Sequence, residues 1–316
     1  DGNLNVGQSR TFDKAPVSMS SSQVSASSGL IGQFGSYNDT VLSDVLAYGN
    51  NGCTHHYTFD ERDGSRAGNW EDGDELLNSA DTAASGETLS CAGDDATMVS
   101  GSVLTDAVIG TAIDFTNSGA YLESGTNVFD SAGNASQMAT VSVSFWVRYG
   151  TIDSTRRCIW NFSRATGNNG FSCQSFYGQL IFCVWDDDGN DSGVLTISSP
   201  SMSTSLFNHV VFTYEGGANI KAYVNGVLAG TTDISSTGIY NMHSCGITIG
   251  GVGTHNARFG NAPTSLETSG FAFNGRVDDF RVYEPVLSAA QALSLYNTAF
   301  QTLQPHGSNI TLDTSA

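Results

Sequence analysis

Positive charge is what this chain has least of: 12 Lys and Arg stand against 31 Asp and Glu, a formal net charge of −19 over 316 residues. A field of that sign repels phosphate backbones and anionic headgroups, which excludes nucleic acid and acidic membrane surfaces as partners. It also repels sulfated or uronic-acid glycans unless a cation bridges them. Long apolar runs are missing. Nowhere do about 18 apolar residues follow one another, so no helix is expected to insert in a membrane. The chain opens without an initiator Met or a signal-like apolar segment, the expectation for a product that begins after processing. Familiar catalytic signatures are absent too: there is no G-x-S-x-G elbow, no H-E-x-x-H helix and no C-x-x-C pair of the kind that holds zinc.

What is present is 36 Gly, abundant Ser and Thr, and 39% hydrophobic residues, a composition of short strands and turns. The most informative stretch is Phe273 to Tyr296. From Val277 to Tyr283 the residues alternate, which predicts Asp278, Phe280 and Val282 on one face and Asp279, Arg281 and Tyr283 on the other. Pro285 then breaks the strand. Ser288 reads as the N-cap of a short helix, with Gln291 three residues on and Leu287 just before, and Ala289, Leu293, Tyr296 and Phe300 recur at helical spacing. Upstream, Val141 to Tyr149 alternates Val141, Val143, Phe145 and Val147 against Ser142, Ser144, Trp146 and Arg148. Cys158 to Ser163, Gln179 to Trp185 and Ile247 to Gly250 read as further strands. Asn225-Gly226, inside Ile220 to Leu228, predicts a type I′ hairpin.

These segments resemble, in order, the core strands of laminin-G-like and concanavalin-A-like jelly rolls. His56-Tyr57-Thr58-Phe59-Asp60 is similar to that family's first core strand. Ala112 to Phe115 with Ala120 to Leu122 is similar to its next pair, and the aspartate, aromatic and R-V-Y run at Asp278 to Tyr283 to its last strand. The resemblance covers about Tyr57 to Phe300 and implies an all-β, antiparallel jelly-roll sandwich with one short C-terminal helix. Residues 51–300 are then one domain, preceded by an extended Ser- and Gly-rich arm over 1–50 and followed by a polar tail over 301–316. Leu4, Val6, Phe12, Val17 and Val24 are spaced along the arm as anchors for an edge of a neighbouring subunit, the alternative being an arm that wraps its own domain.

The resemblance also implies a structural calcium between the first and last core strands, held by Asp60 and Asp278, with Asp279 as the substitute if parity slips at a bulge. The alternative for Asp278 is a carboxylate that accepts backbone hydrogen bonds. Trp146, on the polar face of its strand, is the candidate platform for a sugar ring; packing under a loop or the C-terminal segment is the competing reading. His55 and His56 point to opposite faces of a strand and are poor co-ligands. Six cysteines, Cys53, Cys91, Cys158, Cys173, Cys183 and Cys245, are expected to form intramolecular disulfides, with Cys53 to Cys91 the preferred pair. Asn38, Asn134, Asn161, Asn190 and Asn309 begin N-x-S/T sequons and are the candidate glycan acceptors.

Related enzymes of the laminarinase and carrageenase type carry two glutamates flanking an aspartate on one strand, a pattern missing here. The resulting expectation is a non-catalytic, secreted or cell-surface subunit of an extracellular assembly, partnered by copies of itself or by other subunits. A carbohydrate-binding module with glycan partners is the alternative, and a polysaccharide hydrolase or lyase the third reading.

Overall fold

In the computed structural model the described residues are 53–57, 59, 69–70, 75–76, 89–92, 96–99, 107–108, 112–116, 120–124, 139–163, 170–185, 191–200, 202–235, 245–252, 257–258, 266–267 and 271–302. The proposed arm, residues 303–316 of the tail and Asp60 lie outside them.

Two antiparallel sheets face one another. The first runs β15 (Val227–Asp233), β14 (Asn219–Val224), β13 (Asn208–Glu215), β8 (Thr140–Tyr149), β19 (Gly275–Tyr283), β6 (Ala112–Asp114), β5 (Ala96–Val99) and β2 (Asn69–Trp70), with β1 (Cys53–Tyr57) also paired to β19. The second runs β12 (Asp191–Ile197), β11 (Gln179–Trp185), β10 (Gly170–Phe176), β9 (Arg157–Ser163), β16 (Gly246–Ile249), β7 (Tyr121–Ser124), β4 (Leu89–Ala92) and β3 (Glu75–Leu76). A separate two-stranded hairpin, β17 (Ala257–Arg258) and β18 (Leu266–Glu267), lies against β9 and β10. One helix, α1 (Ala289–Thr302), follows β19.

Between the sheets the alternating apolar residues meet as expected for facing pleated surfaces. Val143, Phe145 and Val147 of β8 join Trp160, Phe162, Phe182, Phe212 and Phe280 in one core. Phe182 stacks on Phe212 with centroids 4.8 Å apart, and Phe145 meets Trp160 edge to face. The Asn225-Gly226 turn forms as read from the sequence, with φ of 51° and 77° and Val224 opposite Val227. These positive angles are those a type I′ turn needs.

Helix α1 begins with the expected capping box. Ser288 N donates to Gln291 Oε1 at 2.7 Å and Gln291 N to Ser288 Oγ at 3.3 Å, so each side chain satisfies a backbone donor that the helix leaves over. Its buried stripe is rotated from the one read in the sequence. Ala292, Leu295 and Tyr296 face the first sheet while Leu293 is 44% exposed. The entry angle sets this phase: Leu287 N donates to Ser142 Oγ, which itself donates to Pro285 O, pinning the chain to β8 before the helix starts.

Candidate functional site

The outer face of the first sheet, under α1, brings together Trp146, Asp278 and Asp279. Strict alternation fails in β19. Asp278 lies opposite Trp146 and Arg281 opposite Ser144, so Asp279 and Phe280 together span the single residue Phe145. Asp279 adopts φ 46° and is the extra residue of a bulge. Asp278 therefore does not share the face of Phe280 and Val282. It is buried on the outer side with Trp146, and its Oδ2 accepts from Val108 N at 2.7 Å, the backbone-bonded alternative for this residue.

Asp279 is held between His56 and Arg281. Its Oδ1 lies 2.7 Å from His56 Nε2 and accepts from Arg281 Nε at 3.0 Å and Nη2 at 2.9 Å. Burial would raise this carboxyl, but the Arg281 guanidinium and His56 outweigh it and hold the group well below the usual carboxylate range. Arg281 is correspondingly raised by the same carboxylate. A calcium ion fits poorly here, because a carboxylate already neutralised by guanidinium and imidazole has little charge left for a hard cation. Asp278 is engaged by Val108 N instead, and among the described residues no group of three His, Cys, Asp or Glu side chains converges. His55 and His56 point apart, as expected from their adjacency.

Trp146 is not a sugar platform. It is 1% exposed, stacked on Tyr296 of α1 with centroids 5.7 Å apart, and 4.9 Å from the ring of His209. Packing under the C-terminal segment, the competing reading, is what the fold does. Beside it His209 is equally buried; its Nε2 lies 2.8 Å from Ser144 Oγ and its Nδ1 has no hydrogen-bond partner. Burial drives its pKa down to about 3, so the ring is neutral at physiological pH.

The disulfide expectation is corrected as well. Cys53, Cys158, Cys173, Cys183 and Cys245 are buried thiols, not joined in disulfides. The preferred pair fails on topology, since Cys53 packs with Tyr283 and Leu287 on the outer face of the first sheet, under α1, and Cys91 is on β4 of the second sheet, across the core. Cys173 and Cys245 belong to the central core, Cys158 packs with Val252 and Phe271, and Cys183 with Ile181 and Trp185. Burial pushes the Cys53 thiol up to about 11 and raises Cys158 and Cys173 further, which keeps all three protonated. Among the sequons, Asn161 is fully buried in β9 with Nδ2 donating to Ser163 Oγ at 3.0 Å, which closes it to glycosylation in the folded chain. Asn38, Asn134, Asn190 and Asn309 lie outside the described residues.

The second sheet carries an arrangement that the sequence reading missed. Its outer face is a belt of uncharged hydrogen-bonding side chains: Thr248 of β16 opposite Asn161 of β9, Asn161 opposite Ser172 of β10, and Ser172 opposite Cys183 of β11. Ser163 and Gln174 extend it along the strands, and all of these residues are buried. Gln174 Nε2 donates to Ser172 Oγ at 2.9 Å and lies 3.3 Å from Cys183 Sγ. At one end the Trp185 indole lies over Gly170, where an added Cβ would come within 2.4 Å of it, so only glycine leaves room. Two polar atoms on this face have no hydrogen-bond partner, Thr248 Oγ1 and Trp185 Nε1. Among the described side chains on this face the one carboxylate is Glu123, opposite Thr248, whereas glycoside hydrolysis calls for two. The signal was the alternation in GFSCQSF, where Ser172 and Gln174 interleave with Phe171 and Cys173.

Comparison with known proteins bears on the fold. No curated protein sequence matches the chain. Among solved structures it resembles the botulinum neurotoxin serotype D binding domain (TM-score 0.55, 14% identity, 81% of this chain and 53% of that one). It also resembles the serotype G binding domain (0.52, 16%, 77% and 50%), and the binding domain of Paraclostridial Mosquitocidal Protein 1 (0.51, 14%, 79% and 52%). The chain thus spans about half the length of the solved chains it matches. At these identities the likeness is one of fold, and a family model fits the sequence itself over residues 117–292. With two facing antiparallel sheets and a match over more than half its length, the chain belongs to the concanavalin A-like lectin/glucanases superfamily.

Proposed function

We propose that the chain is a non-catalytic glycan-recognition module acting outside the cell, with the uncharged belt of the second sheet as the seat of a neutral sugar. The observation that carries this reading is the pair of unpartnered polar atoms, Thr248 Oγ1 and Trp185 Nε1, in a belt otherwise able to donate and accept. A buried polar atom without a partner costs about 1–3 kcal/mol, and a ligand hydroxyl that satisfies it recovers that cost on binding. Neutral sugars suit the site because the belt has no cation among its described side chains to match an anionic ring and the whole chain is acidic. Among the described side chains of this face Glu123 is the one carboxylate, which favours binding over hydrolysis, and the structures that the chain resembles are described as binding domains.

Access runs under the β17–β18 hairpin, whose ladder is only Ala257 opposite Glu267 and Arg258 opposite Leu266. Such a short ladder opens at low cost. The test is titration of neutral and uronic-acid oligosaccharides followed by tryptophan fluorescence. Neutral sugars are expected to bind, Thr248→Val to weaken them by about tenfold for one lost hydrogen bond, and replacement of the hairpin by a short Gly-Ser turn to speed association. Absence of binding by any neutral oligosaccharide overturns the proposal, and turnover of a polysaccharide overturns its non-catalytic part. The expected role as a structural subunit rested on the missing catalytic pattern and on the low-complexity ends, of which residues 1–50 and 303–316 lie outside the described residues.

A further inference from the structure

The described residues include six exposed large apolar side chains, and all six sit at one end of the sandwich: Ile152, Tyr177, Leu206, Val227, Leu228 and Leu293. They come from five separate pieces of chain that backbone contacts tie together. Tyr177 N donates to Asp153 O at 3.0 Å, Met202 N to Gly178 O at 2.9 Å and Tyr149 N to Ser203 O at 3.0 Å. On the other side Asn225 N donates to His209 O at 2.8 Å, and a Cβ added to Gly226 would come within 2.7 Å of Leu293 Cδ1. Tyr177 is the most instructive of the six. It is 58% exposed at a φ of 50°, a position that Asn or Gly fills without strain, and its one ring contact is edge-on to the neighbouring Phe176 at 4.5 Å.

The segments that carry these six side chains also hold little charge. Across 150–157, 176–179, 202–208, 225–228 and all of α1 the sequence holds only Asp153, Arg156 and Arg157. Asp153 is paired with Arg157, and the Arg156 guanidinium lies over the Phe176 ring at 4.3 Å. Exposed apolar and aromatic residues, an arginine and a scarcity of charge are the composition of an interface centre, and the exposed hydroxyls of Ser154, Thr155, Thr204 and Ser205 supply a polar rim. A distribution of this kind also selects its occupant. Copies of a chain with net charge −19 repel one another, and the approach that meets least repulsion brings together the ends with fewest charges.

We infer that this end is a self-association face, through which two copies of the chain meet end to end in a closed pair. The same patch serves both copies, so Tyr177, Leu206 and Leu293 are buried twice in each pair. Salt strengthens the pair, because it screens the repulsion between the acidic bodies while leaving the apolar contact intact.

The experiment is sedimentation equilibrium of the full chain between about 1 and 100 μM at low and high salt, with circular dichroism to verify folding. The wild type is expected to dimerise, more tightly at high salt. Tyr177→Asn combined with Leu206→Ser and Leu293→Gln is expected to weaken it by at least about 100-fold, the scale for losing clustered interface anchors. Asn suits the positive φ at 177, and the other two side chains are exposed, so the variant keeps its fold. Val227→Glu alone, which sets like charges across the pair, gives a second and independent loss. A wild type that stays monomeric at the highest concentration and salt overturns the inference, as does a dimer that persists in both variants. A monomer that floats with uncharged phosphatidylcholine vesicles overturns it in favour of a lipid contact. Sugar binding by the belt of the second sheet is measured separately, so the two proposals fail or stand apart.

Discussion

Mild acid should weaken this fold through one residue, His209. The ring is 1% exposed, packed against Trp146 and near Tyr296 of α1, with Ser144 at Nε2 and no partner at Nδ1. The charged groups facing it are Asp279, which favours the imidazolium, and Arg281, which opposes it; desolvation exceeds both and leaves a folded pKa of about 3. An unfolded histidine titrates near 6.5. Between those values the unfolded chain takes up a proton that the folded chain refuses, so the stability that His209 contributes is complete above about pH 6.5 and is lost progressively as pH falls toward 3. At about 1.4 kcal/mol per unit, acidification to pH 5 removes roughly 2 kcal/mol, or about 4–8 °C in Tm for a domain of this size.

Asp279 does not confuse the result. Its folded pKa is depressed, so its contribution is present above the unfolded value near 3.9 and is lost only below it. The assay is thermal denaturation from pH 7.5 to 5 of wild type and His209→Gln, whose amide can still reach Ser144 and does not titrate. The comparison lies in the slopes, which the constant cost of the substitution does not touch. Parallel curves for the two proteins would refute the reasoning, as would an imidazole NMR resonance of His209 that titrates near pH 6.

Two further outcomes follow from the outer face of the first sheet and from the core. Asp279→Ala strands Arg281 and His56 without their anion, and loss of one partner from a buried pair is expected to cost about 3–5 kcal/mol in urea unfolding; a cost under about 1 kcal/mol would mean that water reaches the pair. The thiols of Cys158, Cys173 and Cys183 should resist alkylation in the native chain and react at once in denaturant without reductant, and failure to label them after unfolding would restore the disulfide reading.

The fold was legible where a physical rule is local. Alternation in Val141 to Val147 set one face of β8 against the other sheet, Asn225-Gly226 set a turn, and Ser288 with Gln291 set a helix start. Each depends on residues that are neighbours in the chain. The site was less legible because its meaning depends on distant residues. Trp146 reads as a solvent-facing aromatic until α1 arrives over it, and nothing near position 146 announces Tyr296. An even number of cysteines suggests pairing, but whether two of them meet is decided by which sheet each strand joins. Asn161, Ser172 and Thr248 come from three strands and are ordinary polar residues until the order β10, β9, β16 lines them up.

The bulge in β19 separates two roles that one strand usually combines. Without Asp279 the strand alternates faultlessly: Val277 inward, Asp278 outward, Phe280 inward, Arg281 outward, Val282 inward, Tyr283 outward, with His56 still opposite Arg281. The last strand is therefore one residue longer than pairing requires, and the supernumerary residue is the one that carries the carboxylate between a guanidinium and an imidazole. Substitution at 279 keeps the extra residue, its left-handed backbone and an orphaned guanidinium together. Excision returns a plain strand and leaves Arg281 and His56 without the carboxylate they share. In this chain, position 279 behaves less like a member of the sheet than like a ligand spliced into it.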